Sequence, residues 1–158
     1  VLFTGSAQTG KTFLARRVEA LLVADSRHAY LLEGENLLQG LDADLSAADP
    51  SFAAERVRRY GEVARLLIDT GLIVVSTSKT FGINYQRMAE MIRTLVQPAP
   101  VIAVHMSRAG EEPPPNTDLH FAGPQDFDAA ARQILEELKR RGVLIQPSGT
   151  KSTIQYSI

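Results

Sequence analysis

Short apolar runs alternate with amphipathic stretches along the chain. The runs are typical of strands buried on both faces of a sheet, and they cover residues 1–5, 29–34, 71–77 and 100–106. Between them, apolar residues recur at helical spacing over residues 11–23, 53–68, 85–96 and 125–141. A last apolar run at 142–145 predicts a short edge strand. This alternation predicts an α/β fold, a three-layer sandwich in which helices cover both faces of a mainly parallel sheet.

Composition limits the classes of function. With 158 residues and 44% hydrophobic residues, the chain fits one domain, which we place at residues 1–146, followed by a polar tail at 147–158. The net charge of -1 argues against a nucleic-acid partner, and no apolar run reaches the roughly 18 residues of a membrane span. The sequence has no cysteine, which excludes disulfides and thiolate chemistry. Since no signal peptide is visible, we expect a cytoplasmic protein without a membrane partner.

Residues 5–12, GSAQTGKT, match the phosphate-binding pattern G-x-x-x-x-G-K-[ST] at every fixed position. This segment, which we call the P-loop, follows a predicted strand and opens a predicted helix, as the motif requires. In such loops backbone N–H groups face phosphate oxygens, the lysine (here Lys11) reaches the β- and γ-phosphates of ATP, and the hydroxyl of Thr12 ligates Mg²⁺. The predicted nucleotide-binding residues are Gly5, Ser6, Ala7, Gln8, Thr9, Gly10, Lys11 and Thr12. The motif indicates a P-loop NTPase or kinase, but it leaves the acceptor of the phosphoryl group open.

Two acids follow the second predicted strand, at the same edge of the sheet as the P-loop. Glu33 and Glu35 are candidates to hold Mg²⁺ through water, or to orient an acceptor hydroxyl and take its proton. The alternative is a pair of solvated loop acids, which composition alone favours. A histidine metal site is not expected, because His28, His105 and His120 lie far apart in the sequence without ligand spacing.

Several longer stretches resemble the adenylylsulfate (APS) kinase family. Residues 33–41, EGENLLQGL, are similar to its D-G-D-N-x-R-x-G-L, and residues 54–74 are similar to its A-E-N-I-R-R-x-x-E-V-A-K-L-x-x-D-A-G-L-I-V. Residues 112–121 and 134–144 resemble the parts before and at the end of its last helix. Together the pieces span residues 1–145 in the family's order. The resemblance implies transfer of the ATP γ-phosphoryl group to the ribose 3′-hydroxyl of adenylylsulfate, which gives PAPS.

The resemblance also assigns roles to individual residues. Glu33 and Glu35 take the places of two family aspartates, so together with Lys11 they are the candidate catalytic residues. Glu33 and Thr12 are the candidate ligands of Mg²⁺. The longer glutamate side chains shift the position of each carboxylate by about one methylene, which matters for proton transfer. The candidate substrate-binding residues are Asn36, Arg58 and Lys79, and Arg108 is the candidate for clamping ATP.

The chain departs from the family on the acceptor side. Leu38 stands where the family has the arginine of D-G-D-N-x-R. Between Arg108 and Glu111 the sequence shows no counterpart of the family's basic lid of about 25 residues, which would exclude water; the lid is either deleted or left out of this sequence. Three hypotheses therefore stay open. The first is an APS kinase with ATP and adenylylsulfate as its partners, the second is a kinase for another acceptor, and the third is an impaired domain with a structural or regulatory role, fused to an ATP sulfurylase domain. Members of this family often form dimers, so the resemblance also suggests a homodimer.

Overall fold

The computed structural model describes residues 1–46, 49–78, 83–123 and 126–144. In this part of the chain, strands and helices alternate as the apolar pattern predicts up to the fourth strand, which is followed directly by a further strand that the pattern did not predict. The strands are β1 Leu2–Gly5, β2 Ala29–Glu33, β3 Ile73–Thr77, β4 Ala103–Ser107 and β5 Leu119–Ala122. The α-helices are α1 Lys11–Ala24, α2 Ala53–Asp69, α3 Tyr85–Leu95 and α4 Phe127–Arg140. Two short 3₁₀-helices, Gly34–Leu37 and Pro50–Phe52, lie between β2 and α2.

The five strands form one parallel sheet in the order β2-β3-β1-β4-β5. Because all strands run the same way, their carboxyl ends meet at one edge. There Gly5 of β1 pairs with Met106 of β4, and Glu33 of β2 pairs with Thr77 of β3. The chain leaves β1 toward β2 and later crosses over to β4 on the other side of β1, which makes β1 the switch point where ligands bind in such sheets.

Successive strand residues point into two separate hydrophobic layers. Phe3 and Val75 pack with buried residues of α1 and α4, while Leu2 and Val74 pack with buried residues of α2 and α3. Helices therefore cover both faces of the sheet, and this arrangement explains why the strands read as continuous apolar runs. The predicted α/β three-layer sandwich with a parallel sheet is confirmed.

The predicted edge strand at 142–145 is wrong for its described part. Residues 142–144 form a turn in which the backbone N–H of Val143 donates to the carbonyl of Leu138, 2.9 Å away, and Leu144 is buried in the α1/α4 layer. The apolar side chains thus cap the core at the end of α4 instead of joining the sheet. The strand that forms the sheet edge next to β4 is β5, which precedes α4.

No helix in the described ranges is long and apolar enough to cross a membrane. The polar tail predicted at 147–158 lies outside the described residues. The domain boundary at 146 therefore stays a prediction.

Candidate nucleotide-binding site

Two glycines of the P-loop occupy positions that a side chain would block. Gly5 has a φ of 126°, and a Cβ there would lie 1.8 Å from the carbonyl oxygen of Met106. Gly10 has a φ of 87° immediately before α1, and a Cβ there would lie 2.6 Å from the ring of Phe127. Both backbones adopt conformations that favour glycine. The loop can therefore turn tightly out of β1 and into α1 while packing closely against Met106 and Phe127.

Lys11 folds back over the loop that precedes it. Its Nζ donates to the carbonyl of Gly5 at 2.9 Å and also to the carbonyl of Ser6. Partial burial lowers the pKa of Lys11, and the negative charge of Glu35 opposes that shift. Thr9 donates through its hydroxyl to the same Ser6 carbonyl at 2.9 Å. The lysine charge is thus held at the first turn of the loop.

A cleft of about 460 Å³ opens beyond the carboxyl ends of β1 and β3. It brings P-loop residues together with side chains that follow β2 and β3 and with the first residue of α3. Its lining residues are Gly5, Ala7, Gln8, Thr9, Gly10, Lys11, Thr12, Phe13, Glu35, Thr77, Ser78 and Tyr85. All predicted P-loop residues except Ser6 line this cleft.

The two predicted acids have different surroundings. Glu35 lies in the 3₁₀-helix Gly34–Leu37 and lines the cleft with Lys11. Glu33, the last residue of β2, instead pairs with Arg16 of α1 across 3.4 Å and is not among the lining residues. Asn36 is exposed in the same 3₁₀-helix and does not line the cleft either. The structure therefore joins one of the three residues to Lys11.

Arg58 lies outside the cleft. Its guanidinium makes two 2.7 Å hydrogen bonds to the carboxylate of Glu55 within α2. Hydrogen bonds from Arg58 and Arg59 lower the pKa of Glu55 to about 2. Arg58 faces a separate groove between α2 and α3, together with Arg87. Lys79, the other predicted cation of the acceptor side, lies outside the described residues.

A second cleft, of about 510 Å³, adjoins the P-loop on the side of β4 and α4. Arg108, the predicted ATP clamp, lines it. The full lining is Gln8, Thr9, Gly10, Ser107, Arg108, Ala109, Gly123 and Phe127. Three P-loop residues are shared by the two clefts, so a ligand held by the loop could extend into both.

Two residues at the P-loop were not predicted. The hydroxyl of Tyr85 donates to the carbonyl of Gly5 at 2.7 Å, and its ring packs edge-on against His105 at a centroid distance of 5.1 Å. The carboxylate of Glu111 accepts a hydrogen bond from the hydroxyl of Ser6 at 2.6 Å. These contacts join residues 80 and 105 positions apart in the sequence, and no sequence pattern indicates them.

Arg56, which replaces an asparagine of the family's motif, has a structural position. It is 2% exposed and donates to the carbonyl of Ser46. This contact holds the segment before Pro50–Phe52 against α2. Arg56 does not line the cleft and therefore does not replace the positive charge that the acceptor side lacks at Leu38.

The parallel sheet, the glycine-bounded loop between β1 and α1, and the lysine folded over that loop define a P-loop protein of the kinase type. The family model described as adenylylsulphate kinase matches residues 1–113. The chain therefore belongs to the adenylylsulphate kinase family, as its motifs predicted.

Curated relatives agree with this family. The chain is 41% identical over 96 residues to an adenylyl-sulfate kinase of Aeromonas hydrophila. The matched region covers 61% of this chain and 47% of that relative. It is 30% identical over 172 residues to an adenylyl-sulfate kinase of Vibrio cholerae, and this match covers 90% of this chain and 78% of that relative. The chain spans about half the length of the first curated relatives that it matches.

Solved structures of this family have the same fold. A cysteine-to-alanine mutant of the Mycobacterium tuberculosis APS kinase CysC superposes with a TM-score of 0.72 at 29% identity, covering 87% of this chain and 94% of that one. A hexameric APS kinase from Thiobacillus denitrificans gives a TM-score of 0.75 at 25% identity, covering 92% and 29%. The predicted P-loop fold is confirmed by these likenesses.

Proposed function

We propose that this protein transfers the γ-phosphoryl group of ATP to the ribose 3′-hydroxyl of adenylylsulfate, giving PAPS and ADP. The observation that carries the proposal is that Lys11 of the P-loop and Glu35 line the same cleft, where the charge of Glu35 acts on Lys11. Membership of the adenylylsulphate kinase family supports the choice of acceptor.

The P-loop fits a nucleoside triphosphate. Gly5 and Gly10 let the loop turn tightly against Met106 and Phe127, where a Cβ would not fit. The first turn of α1 directs N–H groups and partial positive charge toward the loop. Lys11 is placed to meet the β- and γ-phosphates. The Thr12 hydroxyl in the same cleft fits Mg²⁺, which when bound neutralises charge on the phosphates. Glu33 would serve that ion only after leaving Arg16.

Glu35 is the residue that we place at the acceptor hydroxyl. Its carboxylate would orient the 3′-hydroxyl and take its proton while the oxygen attacks the γ-phosphorus. The bond from that phosphorus to the bridging oxygen of ADP breaks, and Lys11 stabilises the charge that develops there. Oriented reactants and fixed countercharge are the main contributions that a protein makes to this reaction.

The part of the site predicted to bind the acceptor is less complete than the part predicted to bind the nucleotide. Asn36 and Arg58 would bind the acceptor only after a rearrangement, because the structure places both outside the cleft and Arg58 is engaged with Glu55. This observation favours, as the second candidate, a kinase of the same architecture that acts on another acceptor. Dimer formation, fusion to an ATP sulfurylase domain and a cytoplasmic location stay predictions.

The test is formation of PAPS from ATP and adenylylsulfate by the purified protein. We expect the Lys11→Ala variant to lose about 100-fold or more in kcat/KM, because charge on the transferred group is no longer stabilised. Lys139→Ala is the matched control, since Lys139 is an exposed lysine of α4 paired with Glu136. If the wild type makes no PAPS but binds ATP in a Lys11-dependent way, the first candidate is overturned and the loop serves another acceptor or a regulatory role.

A further inference from the structure

The connection between β4 and β5 is attached to the P-loop through one carboxylate. Oε2 of Glu111 accepts hydrogen bonds from the hydroxyl of Ser6 at 2.6 Å and from the backbone N–H of Arg108 at 3.0 Å. The backbone carbonyl of Glu111 accepts a further hydrogen bond from Ser107, at 3.2 Å. Although Glu111 is exposed, its carboxylate therefore has a fixed place beside the loop.

This carboxylate carries a negative charge at neutral pH. The hydrogen bonds from Ser6 and from the backbone of Arg108 lower the pKa of Glu111. The same charge raises the pKa of Tyr85, after the larger effect of burial, and Tyr85 donates to Gly5. Because Glu111 accepts a hydrogen bond from Ser6, this negative charge lies beside the first turn of the P-loop.

The Lys11 ammonium and the Glu111 carboxylate meet at the same loop residue. Lys11 donates to the carbonyl of Ser6, and Glu111 accepts from the hydroxyl of Ser6. A P-loop lysine contacts the β- and γ-phosphates, so the terminal phosphate of a bound nucleotide comes to lie near this point. The Glu111 carboxylate therefore lies where the third phosphate of a nucleoside triphosphate would add negative charge that a diphosphate does not bring.

We propose that Glu111 determines the nucleotide preference of the P-loop by weakening binding of ATP relative to ADP. The inference rests on the proposed function, because it takes the loop to be a nucleotide site. Two unit charges a few ångström apart at a protein surface repel strongly enough to change a dissociation constant by about tenfold. A diphosphate, whose last phosphate lies further from Glu111, is penalised less.

The experiment measures dissociation constants of MgATP and MgADP by calorimetry, without acceptor, for the wild type and four variants. Glu111→Gln keeps an oxygen for Ser6 and for the Arg108 N–H but removes the charge, whereas Glu111→Ala removes both. Glu112→Gln is the matched control, since Glu112 is the exposed neighbouring acid. Lys11→Ala tests whether binding occurs at the P-loop.

We expect Glu111→Gln to tighten MgATP about tenfold and MgADP less than about threefold, with Glu112→Gln unchanged. The difference should shrink as salt is raised, because screening weakens repulsion near the surface. Equal effects on both nucleotides, or none, would overturn the proposal. A loss of affinity in Glu111→Ala with no gain in Glu111→Gln would also overturn it, because Glu111 would then only hold the loop.

The outcome separates this inference from the function proposed above. If the nucleotide ratio shifts as expected but no PAPS is made, the role of Glu111 stands and the acceptor is different. If PAPS is made and the ratio of the MgATP and MgADP dissociation constants does not shift, the proposed kinase activity is supported and the proposed role of Glu111 is overturned. Absence of Lys11-dependent nucleotide binding would overturn both.

Discussion

At the scale of single residues, Glu33 and Glu35 show how two positions change the chemistry that a carboxylate can perform. Glu33 ends β2 and meets Arg16, whereas Glu35 lies in the first turn of the 3₁₀-helix Gly34–Leu37 and lines the cleft with Lys11. The resemblance to the family makes both acids candidates. Only the direction of the backbone after β2 separates them.

Substitution of the two acids tests this separation. We expect Glu35→Gln to lower kcat for PAPS formation by about 100-fold or more with little change in the KM for ATP, since proton transfer is lost while the nucleotide site stays intact. Glu33→Gln, the matched control, should lower kcat less than about threefold. If Glu33→Gln instead lowered kcat more than Glu35→Gln, Glu33 would have to leave Arg16 and act at the reacting atoms.

At the scale of elements, one aspartate adds to the pairing between β4 and β5. Asp118, which immediately precedes β5, accepts hydrogen bonds from the Ala103 N–H at 2.7 Å, from Arg93 of α3 at 2.8 Å and from Arg141 after α4 at 2.6 Å. Its side chain is 17% exposed, so these charges are partly shielded from water. Asp118 therefore joins the edge strand to β4 and to helices on both faces of the sheet.

Asp118→Ala should lower the free energy of unfolding by about 2–3 kcal/mol, because the Ala103 N–H loses its acceptor and Arg93 and Arg141 each lose one of theirs. Asp69→Ala is the control, since Asp69 is 61% exposed and pairs with Arg65 along α2; its loss should be below about 0.5 kcal/mol. Equilibrium unfolding in urea measures both. Equal losses in the two variants would contradict the role given to Asp118.

At the scale of the whole molecule, one sheet is shared by two hydrophobic layers. Leu2 and Phe3 are adjacent in β1, yet they belong to opposite layers, as do Val74 and Val75 in β3. If one layer lost its packing, one face of the strands would be exposed to water, and the same strands support the packing of the other layer. The two layers are therefore expected to unfold together.

Matched isoleucine substitutions on the two faces test this coupling. Ile134 of α4 and Ile92 of α3 are both buried, so Ile134→Ala and Ile92→Ala should each cost about 2–5 kcal/mol. Each variant should unfold in a single transition seen equally by circular dichroism and by tyrosine fluorescence. Leu66→Ala, at a residue that is 58% exposed, is the control. Two transitions in either variant would mean that the layers unfold separately.

Most elements of the fold could be predicted because their signals are local. The β1–P-loop–α1 unit follows from the spacing of residues 5–12 and from the apolar positions around them, and it is found where predicted. The edge strand was misplaced because β5 is short and follows a proline-rich stretch, whereas Val143 and Leu144 have the apolar character of a strand but cover the core. Apolar character alone does not distinguish those two uses.

The sequence by itself determined the class of fold, the family and the position of the P-loop, because these depend on residue types at fixed short spacings. Only the tertiary structure decided which acid faces Lys11, that Arg58 pairs with Glu55, and that Tyr85 and Glu111 contact the P-loop. Those contacts depend on where the strand ends meet and on the direction of each backbone beyond them. The local spacing of residues determines neither where strand ends meet nor the direction of the backbone beyond them. The surroundings of the acceptor-side residues therefore follow only from the tertiary structure.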